Sequence, residues 1–277
     1  MKLILRNIFV GIIFLTVSCN TVKYTVKKNY RQLSSAEKAL VDSMLSYALD
    51  HEALYTLLDT IKPISSVKFL HYPIANYHGV KGKTDVVKET KLLLPAESYQ
   101  KICSLLSNKY FQFVVSPFQR IDSLNRNIEI YITRKSSFSK KINEHQSFFG
   151  QWGFTASSNP ATVLSVIEYE NKYDRYRGYG YLFGYPKHAV DFFTEAARAE
   201  DSTKQFVKRN FFAIPVYAAE KGHFTYAVPK DYEISITDSA IYKNAIATLN
   251  NYKKARNKFI KNGNFSAFKL WMKKFNK

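Results

Sequence analysis

Two kinds of hydrophobic pattern alternate along the chain. Apolar residues recur every three or four positions in some segments, which predicts amphipathic helices, and every second position in others, which predicts strands. The helical segments are residues 34–62, 96–107, 137–149, 160–172, 187–199 and 239–262. The strand segments are residues 65–71, 110–116, 128–133, 211–217, 223–228 and 232–237. A capping box at Ser34–Glu37 marks the start of the first helix.

The order of these segments indicates the fold class. Strands and helices mix without a regular strand–helix–strand rhythm, and segments 211–217 and 223–228 are close enough to pair as an antiparallel hairpin. Pro215 lies inside the first of them, and because proline lacks an N–H donor, that strand is expected at an edge. We predict an α+β fold, with one mostly antiparallel sheet of about five or six strands covered by helices and a helical C-terminus. Residues 34–277 are expected to form a single domain.

The first twenty residues have the pattern of an export signal. Lys2 and Arg6 precede an apolar run from Ile8 to Val17, which suits a secretory signal and is short for a membrane-spanning helix. The run ends in the sequence LTVSC, residues 15–19, which resembles the lipobox of bacterial lipoproteins. In that family the cysteine thiol receives diacylglycerol, and the signal is cut just before the cysteine.

The resemblance implies a signal peptide over residues 1–18, an acylated Cys19 at the start of the mature chain, and a lipidated tether over residues 19–33. Acyl chains of this kind give lasting membrane attachment. Asn20 is not the acidic residue that retains enterobacterial lipoproteins in the inner membrane. The expected location is therefore the outer membrane, with the domain facing the periplasm. A plain secretory signal and a transmembrane anchor are the alternatives.

Composition excludes two classes of protein. Hydrophobic residues make up 46% of the chain, which is too many for intrinsic disorder. The chain has two cysteines, and with Cys19 lipidated only Cys103 remains, so an intramolecular disulfide is not expected. Cys103 shares an apolar helical face with its neighbours, which favours a buried structural thiol.

The chain is basic, with a formal net charge of +19, and much of the excess is at its C-terminal end. Residues 239–277 contain ten lysines and arginines and no acid, on a pattern with an apolar seam. Such an element can lie on anionic lipid or lipopolysaccharide, or it can be an ordinary helix that packs on the sheet and exposes its lysines. Nucleic acid is not an expected partner, because no nucleic-acid motif is present.

A tyrosine-rich segment at residues 169–185 is the first candidate binding site. Tyrosine rings offer flat apolar faces to sugar rings or peptides, and arginine adds a fork for carboxylates or phosphates. The candidate ligand-binding residues are Tyr173, Tyr176, Arg177, Tyr179, Tyr181 and Tyr185. Several of these tyrosines recur at helical spacing, so a buried aromatic layer is the alternative.

His188, Asp191 and Glu195 are the candidate catalytic residues, because they share one face of a predicted helix. An imidazole and two carboxylates can form an acid–base pair or bind a metal, with Glu168 as a further acid–base partner and Arg177 to orient an anionic substrate. Helix capping and surface ion pairing are the alternative roles. The chain lacks the His-Glu-x-x-His, Gly-x-Ser-x-Gly and glycine-rich phosphate-loop motifs, and neither a cofactor nor a metal is predicted.

Two functions remain open. The first is a non-catalytic envelope lipoprotein, attached to the membrane by its lipid anchor, that binds an envelope glycan, lipopolysaccharide, another lipid or a protein. It would use the tyrosine-rich segment and the basic C-terminal helices. The second is a hydrolase or metal-assisted enzyme centred on His188 and Asp191, which requires these side chains to converge on one cleft.

Overall fold

Helices form the larger part of the structure, which is a computed structural model that describes residues 26–74, 94–122 and 125–274. The helices are α1 (26–31), α2 (Ser35–Asp50), α3 (Leu54–Leu57), α4 (Leu94–Leu106), α5 (Lys135–Glu144), α6 (Gln146–Phe149), α7 (Pro160–Tyr169), α8 (Lys172–Leu182), α9 (Lys187–Thr203), α10 (Ile236–Arg256) and α11 (Ala267–Lys274). Short 3-10 turns follow α6 and α10, at Gly150–Trp152 and Asn257–Phe259.

The strands form three separate antiparallel sheets within the described ranges. They are β1 (Ile64–Pro73), β2 (Phe111–Asp122), β3 (Asn125–Arg134), β4 (Arg209–Val216), β5 (Ala219–Pro229), β6 (Ile260–Lys261) and β7 (Asn264–Phe265). Strand β3 lies between β1 and β2, β4 pairs with β5, and β6 pairs with β7. The α+β class is confirmed. A single sheet of five or six strands is not confirmed, because the β4–β5 hairpin packs against α9 and α10 instead.

Both faces of the three-stranded sheet are buried. Ile130 and Ile132 of β3 belong to a hydrophobic cluster that includes residues of α2, α4, α10 and α11. Tyr131, between them, belongs to a second cluster with residues of α5, α7 and α8. The period-two alternation in β3 therefore separates two buried faces, rather than a buried face from a solvated one.

The first predicted helix begins as expected and ends early. The Ser34 hydroxyl accepts the Glu37 N–H and the Glu37 carboxylate accepts the Ser34 N–H, so the predicted capping box is present. The helix ends at Asp50, because the Asp50 carbonyl accepts the Ala218 N–H from the β4–β5 turn at 2.8 Å instead of continuing the helical ladder.

The β4–β5 hairpin is confirmed, and it is tighter than the sequence indicated. Val216 pairs directly with Ala219, and the register shifts between Ile214 and Val216, where Pro215 has no N–H to donate. The strand predicted at residues 232–237 is wrong. That segment is a loop that ends in the capping box of Ser235 and Asp238, which starts α10.

The C-terminal helices pack on the core through their apolar seam. Ala245, Leu249 and Tyr252 of α10 are buried, and Phe268 and Trp271 of α11 are buried in the same cluster. The outward side of these helices carries the lysines. Phe275, which the seam pattern also included, lies outside the described residues.

Helix α8 approaches its neighbours closely through two glycines. A Cβ atom at Gly178 would come within 2.7 Å of Ile167 Cγ2 in α7, and one at Gly180 would come within 2.8 Å of Val190 Cγ2 in α9. These glycines therefore set the spacing of α7, α8 and α9. The tyrosine-rich segment is consequently a helix held between two others, and its side chains point in several directions.

Candidate functional site

A cleft of about 800 Å³ adjoins the first turn of the predicted catalytic helix. Its walls are the α3–β1 connection, helix α5, the α8–α9 connection and the first half of α10. This volume lies within the range of pockets that hold small-molecule ligands. Two residues singled out from the sequence, His188 and Tyr185, line it.

Three helices present their N-terminal ends to this cleft. Ser136 and Ser137 belong to the first turn of α5, Lys187 and His188 to that of α9, and Thr237 to that of α10. The residues that precede α5 and α9 make no side-chain capping hydrogen bond. Backbone N–H groups at such ends are left to other acceptors, and the helix dipole favours negative charge there. The part of the cleft beside the first turns of α5 and α9 therefore favours an anion.

Charged side chains add to this preference. Lys140, Lys141 and Lys187 line the cleft together with two acids, Asp59 and Glu144. Glu144 pairs with Lys141 at 2.7 Å and with Lys140 at 3.6 Å. Lys187 pairs with Asp191, which lies outside the lining.

The hydroxyl group of Ser137 has no described partner. Its side chain lines the cleft, the residue is only 7% exposed, and its Oγ atom makes no hydrogen bond within the described structure. A buried hydroxyl without a partner costs free energy, and such groups are normally satisfied. Ser137 Oγ is closed off from solvent in this conformation, so it donates to or accepts from a ligand in the cleft only when the Ser137 side chain turns to another rotamer.

His145 lies at the opposite end of α5 and also lines the cleft. Its ring stacks on the Tyr181 ring, with centroids 3.7 Å apart and an interplanar angle of 8°. Burial lowers the pKa of His145 below its ordinary value, and the nearby Lys141 ammonium acts in the same direction. The neutral imidazole is therefore favoured near neutral pH.

His188 is bound to a carboxylate that the sequence analysis missed. Its Nε2 atom lies 2.8 Å from the Tyr232 hydroxyl and 3.3 Å from Asp238 Oδ1. Asp238 is fully buried, and it accepts hydrogen bonds from Tyr226, Tyr232 and the Ser235 hydroxyl. Burial raises the pKa of Asp238, but these hydrogen bonds outweigh burial, so its pKa lies below the ordinary value. Asp238 is therefore an ionised anchor for His188.

The other two predicted catalytic residues have different partners. Arg177 Nη1 donates to Asp191 at 3.1 Å, and Arg177 Nη2 lies 3.6 Å from Glu195. Neither acid contacts His188, and neither lines the cleft with it. The structure thus brings His188 to the cleft and places Asp191 and Glu195 in an ion-pair cluster between α8 and α9.

Comparison of the chain with protein-family models, with curated proteins and with solved structures finds no match.

The predicted ligand-binding tyrosines do not share one surface. Tyr173 donates to Asp201, and Tyr176 packs edge-on against Phe193, both on α9. Tyr179 reaches the sheet on the other side, where its hydroxyl donates to Glu168 at 2.8 Å.

The remaining two tyrosines lie nearer the cleft. Tyr181 is buried against Phe148 and Phe149 as well as His145. Tyr185 forms part of the cleft wall and stacks on Phe224. Of the six residues predicted to bind a ligand, Tyr185 is the one that lines the cleft.

A fully buried lysine lies directly behind the cleft. Lys62 Nζ donates to Glu52 Oε2 at 2.9 Å and lies 4.3 Å, 4.9 Å and 5.5 Å from the ring centroids of Phe224, Phe183 and Tyr185. Burial lowers the pKa of Lys62, and the Glu52 carboxylate opposes that effect. The aromatic rings stabilise the ammonium group through cation–π contacts.

Two further buried acids, Glu129 of β3 and Glu168 of α7, lie in and beside the three-stranded sheet. Glu129 accepts a hydrogen bond from Ser66, and hydrogen bonds through Tyr131 and Tyr179 connect it to Glu168. Burial raises the pKa of Glu129 to about 7, whereas its hydrogen bonds from Ser66 and Tyr131 oppose the rise.

The described residues include no group of three or more His, Cys, Asp or Glu side chains placed to hold a metal ion. Across those same ranges, no helix is both long and apolar enough to span a membrane.

The structure describes one of the two cysteines, Cys103. Cys103 is buried, and burial raises the pKa of its thiol to about 12, as expected of an unreactive structural thiol. Cys19, with the proposed signal peptide before it, lies outside the described residues.

Sequence reasoning missed the two groups that matter most at this site. Asp238 follows Ser235 at capping-box spacing, and that signal was overlooked because the segment had been read as a strand. Ser137 begins one of several Ser-x-x-Lys matches in the sequence, which are too many to indicate a site, and only the tertiary structure reveals that its hydroxyl is buried and lacks a partner.

Proposed function

We propose that the protein is an envelope lipoprotein, held at the outer membrane through an acylated Cys19, that binds an acidic glycan in its cleft. The observation that carries the proposal is the convergence of three helix N-termini on one cleft, two of them without side-chain caps. Such ends bind carboxylates and phosphates through backbone N–H groups.

The rest of the lining supports a sugar. Polar side chains that can bond hydroxyl groups, among them Asp59, Thr60 and Asn244, lie around the cleft, and Tyr185 supplies an aromatic wall. Lys140 and Lys187 provide positive charge for the acidic group. An uncharged apolar ligand would leave these polar groups without partners.

The test compares N-acetylmuramic acid with N-acetylglucosamine, which lacks the 3-O-lactyl group that carries the carboxylate of the first sugar. Calorimetric titration of residues 19–277 carrying Cys19→Ala is expected to detect binding of the acidic sugar and much weaker binding of the neutral one. Ser137→Ala is expected to weaken binding of the acidic sugar about tenfold, because one hydrogen bond is lost. The same change is expected to leave the melting temperature of the free protein unchanged or higher, because the hydroxyl lacks a partner there.

Ser139→Ala is the matched control, since Ser139 lies on the same helix and does not line the cleft. It should alter neither affinity nor stability. Equal affinity for the two sugars would contradict the proposal. So would a Ser137→Ala protein that melts at a lower temperature and binds the acidic sugar as well as before, since that result would mean a purely structural role.

A hydrolytic function is the second candidate, and the His188–Asp238 pair favours it. An imidazole that faces a cleft and is oriented by a buried carboxylate is suited to general acid–base catalysis. In this hydrolase hypothesis, Asp238 replaces Asp191 as the carboxylate partner of His188. Turnover of an oligomeric acidic glycan that disappears in His188→Ala would favour the enzyme, whereas binding without turnover would favour the binding lipoprotein.

A further inference from the structure

A second concave surface lies at the C-terminal end of the chain, away from the acids of the first cleft. It is a groove of about 480 Å³ between the end of α10, the turn Asn257–Phe259 and α11. Ala255, Phe259 and Leu270 form its apolar floor. Its rim consists of four lysines: Lys254, Lys258, Lys273 and Lys274. We call this surface the lysine groove.

The lysine groove has positive charge and no acid among its described lining residues. The acids of α2 that face these helices are already engaged. Asp50 pairs with Arg256 at 2.9 Å, and Asp42 accepts the Phe268 N–H at 2.9 Å, at the opposite end of α11 from Lys273. The negative ends of the α10 and α11 dipoles offset part of the repulsion among the ammonium groups. The positive charge of Lys254, Lys258 and Lys273 is therefore available to an external anion.

Helix α11 also contacts the part of the chain that follows the proposed anchor, at the end of the helix opposite the groove lysines Lys273 and Lys274. Tyr30 of α1 stacks on Phe268 of α11, with ring centroids 3.7 Å apart. Cys19 precedes the first described residue, Val26, by seven residues, a length of chain that spans at most about 25 Å. A bilayer that held an acylated Cys19 would therefore be within reach of α11.

We infer that the lysine groove docks on the phosphate headgroups of an anionic lipid bilayer and turns this side of the protein toward the membrane. Long lysine side chains reach phosphates while their stems cover apolar surface, and basic clusters next to a membrane anchor bind anionic lipids. The inferred orientation relies on the proposed anchor. The docking itself does not, because the groove residues all belong to the described fold.

The test is sedimentation of residues 19–277 carrying Cys19→Ala with vesicles of phosphatidylcholine, with or without phosphatidylglycerol. Binding is expected only to the vesicles that contain phosphatidylglycerol, and it should weaken as salt is added. Reversing three charges of the groove, with Lys254→Glu, Lys258→Glu and Lys273→Glu, is expected to lower the partition coefficient at least about 100-fold.

The matched control reverses three exposed lysines elsewhere, with Lys68→Glu, Lys208→Glu and Lys230→Glu, for the same change in net charge. This control variant should lower the partition coefficient into phosphatidylglycerol vesicles only a few fold. An equal loss in both triple variants would overturn the inference, because net charge alone would then explain binding. Binding to heparin that equals binding to vesicles, and that the groove variant abolishes, would also overturn it in favour of a soluble polyanion.

Circular dichroism checks that each triple variant folds. If a lysine-to-glutamate variant unfolds, the same three lysines are replaced by glutamine and the vesicle test is repeated. The experiment requires neither an acylated Cys19 nor the sugar ligand of the cleft. Failure of vesicle binding would therefore leave the cleft proposal standing, and failure of sugar binding would leave the lysine groove standing.

Discussion

Glu129 is the residue at which burial and charge conflict most directly. It lies on the central strand β3, is 3% exposed, and has two other acids, Glu52 and Glu168, near enough to oppose its ionisation. Hydrogen bonds from Ser66 and Tyr131 do not fully compensate for the loss of water. The folded protein therefore holds this carboxyl group protonated at pH values where the unfolded chain has released the proton.

We expect this difference to make stability depend on pH. Between the ordinary glutamate pKa of 4.5 and the folded value of about 7, the folded state binds one proton more than the unfolded state, so the free energy of unfolding falls as the pH rises. The loss over this window is about 3 kcal/mol. Urea denaturation across this pH range measures it.

Glu129→Gln is the control, because glutamine keeps the shape and cannot ionise. The difference in stability between the variant and the natural chain should grow in favour of the variant from pH 4.5 to 7. If the difference in stability between the two proteins stayed constant over this pH range, the Glu129 carboxyl group would have the same pKa in the folded and unfolded states.

At the scale of elements, the same capping motif occurs in two environments. The box of Ser34 and Glu37 starts α2 at the surface, and the box of Ser235 and Asp238 starts α10 in a buried position. In the second box the carboxylate also accepts the hydroxyl groups of Tyr226 and Tyr232.

Asp238→Ala should therefore destabilise the protein far more than Glu37→Ala. It removes a capping partner and leaves the buried Tyr226 hydroxyl without its acceptor, at a cost of about 3 kcal/mol. Glu37→Ala exposes its former partners to water, which can replace it. Parallel urea titrations of the two variants measure the difference, and equal destabilisation would show that the tyrosine contacts add nothing to the cap.

Element prediction from sequence worked where local patterning and packing agree. Helices α4, α5 and α9 and the β4–β5 hairpin follow from periodicity and from proline or glycine positions, and they were predicted within a few residues. Helix α8 was not predicted as an element, because glycine and tyrosine have low helix propensity and its apolar residues form no single stripe. Tertiary packing through Gly178 and Gly180 holds it instead.

The site was predicted less completely than the elements. His188 was identified, and the helical spacing that linked it to Asp191 and Glu195 was the wrong guide to its partner. That partner, Asp238, is fifty positions away in sequence, and only the packing of α9 against β5 and the start of α10 brings the two together. Side-chain convergence across such distances has no local signal in one sequence.

At the scale of the whole molecule, we propose that two parts of the protein attach it to the membrane, the acylated Cys19 and the lysine groove. Acyl chains on Cys19 would give lasting attachment, and the lysine groove would give attachment that salt weakens. In a bacterial host, Cys19→Ala is expected to leave a fraction of the protein on the membrane that high salt releases. Fractionation followed by immunoblotting measures this.

Adding the three lysine-to-glutamate changes of the groove to Cys19→Ala should move the remaining protein to the soluble fraction. A Cys19→Ala protein that stays membrane-bound at high salt would contradict the lipoprotein proposal, because an uncleaved hydrophobic segment would then be the anchor.

Chemical modification of the buried Lys62 would report how often the core of the protein opens. Among the described residues, Lys62 is the one lysine that is fully buried, behind Tyr185 and Phe224 and bonded to Glu52. A water-soluble reagent that acylates amines would modify the exposed lysines at once and reach Lys62 only when the surrounding core opens. The mass spectrum of the peptide that contains Lys62 would thus record how often the core opens in intact cells, without purification or denaturant.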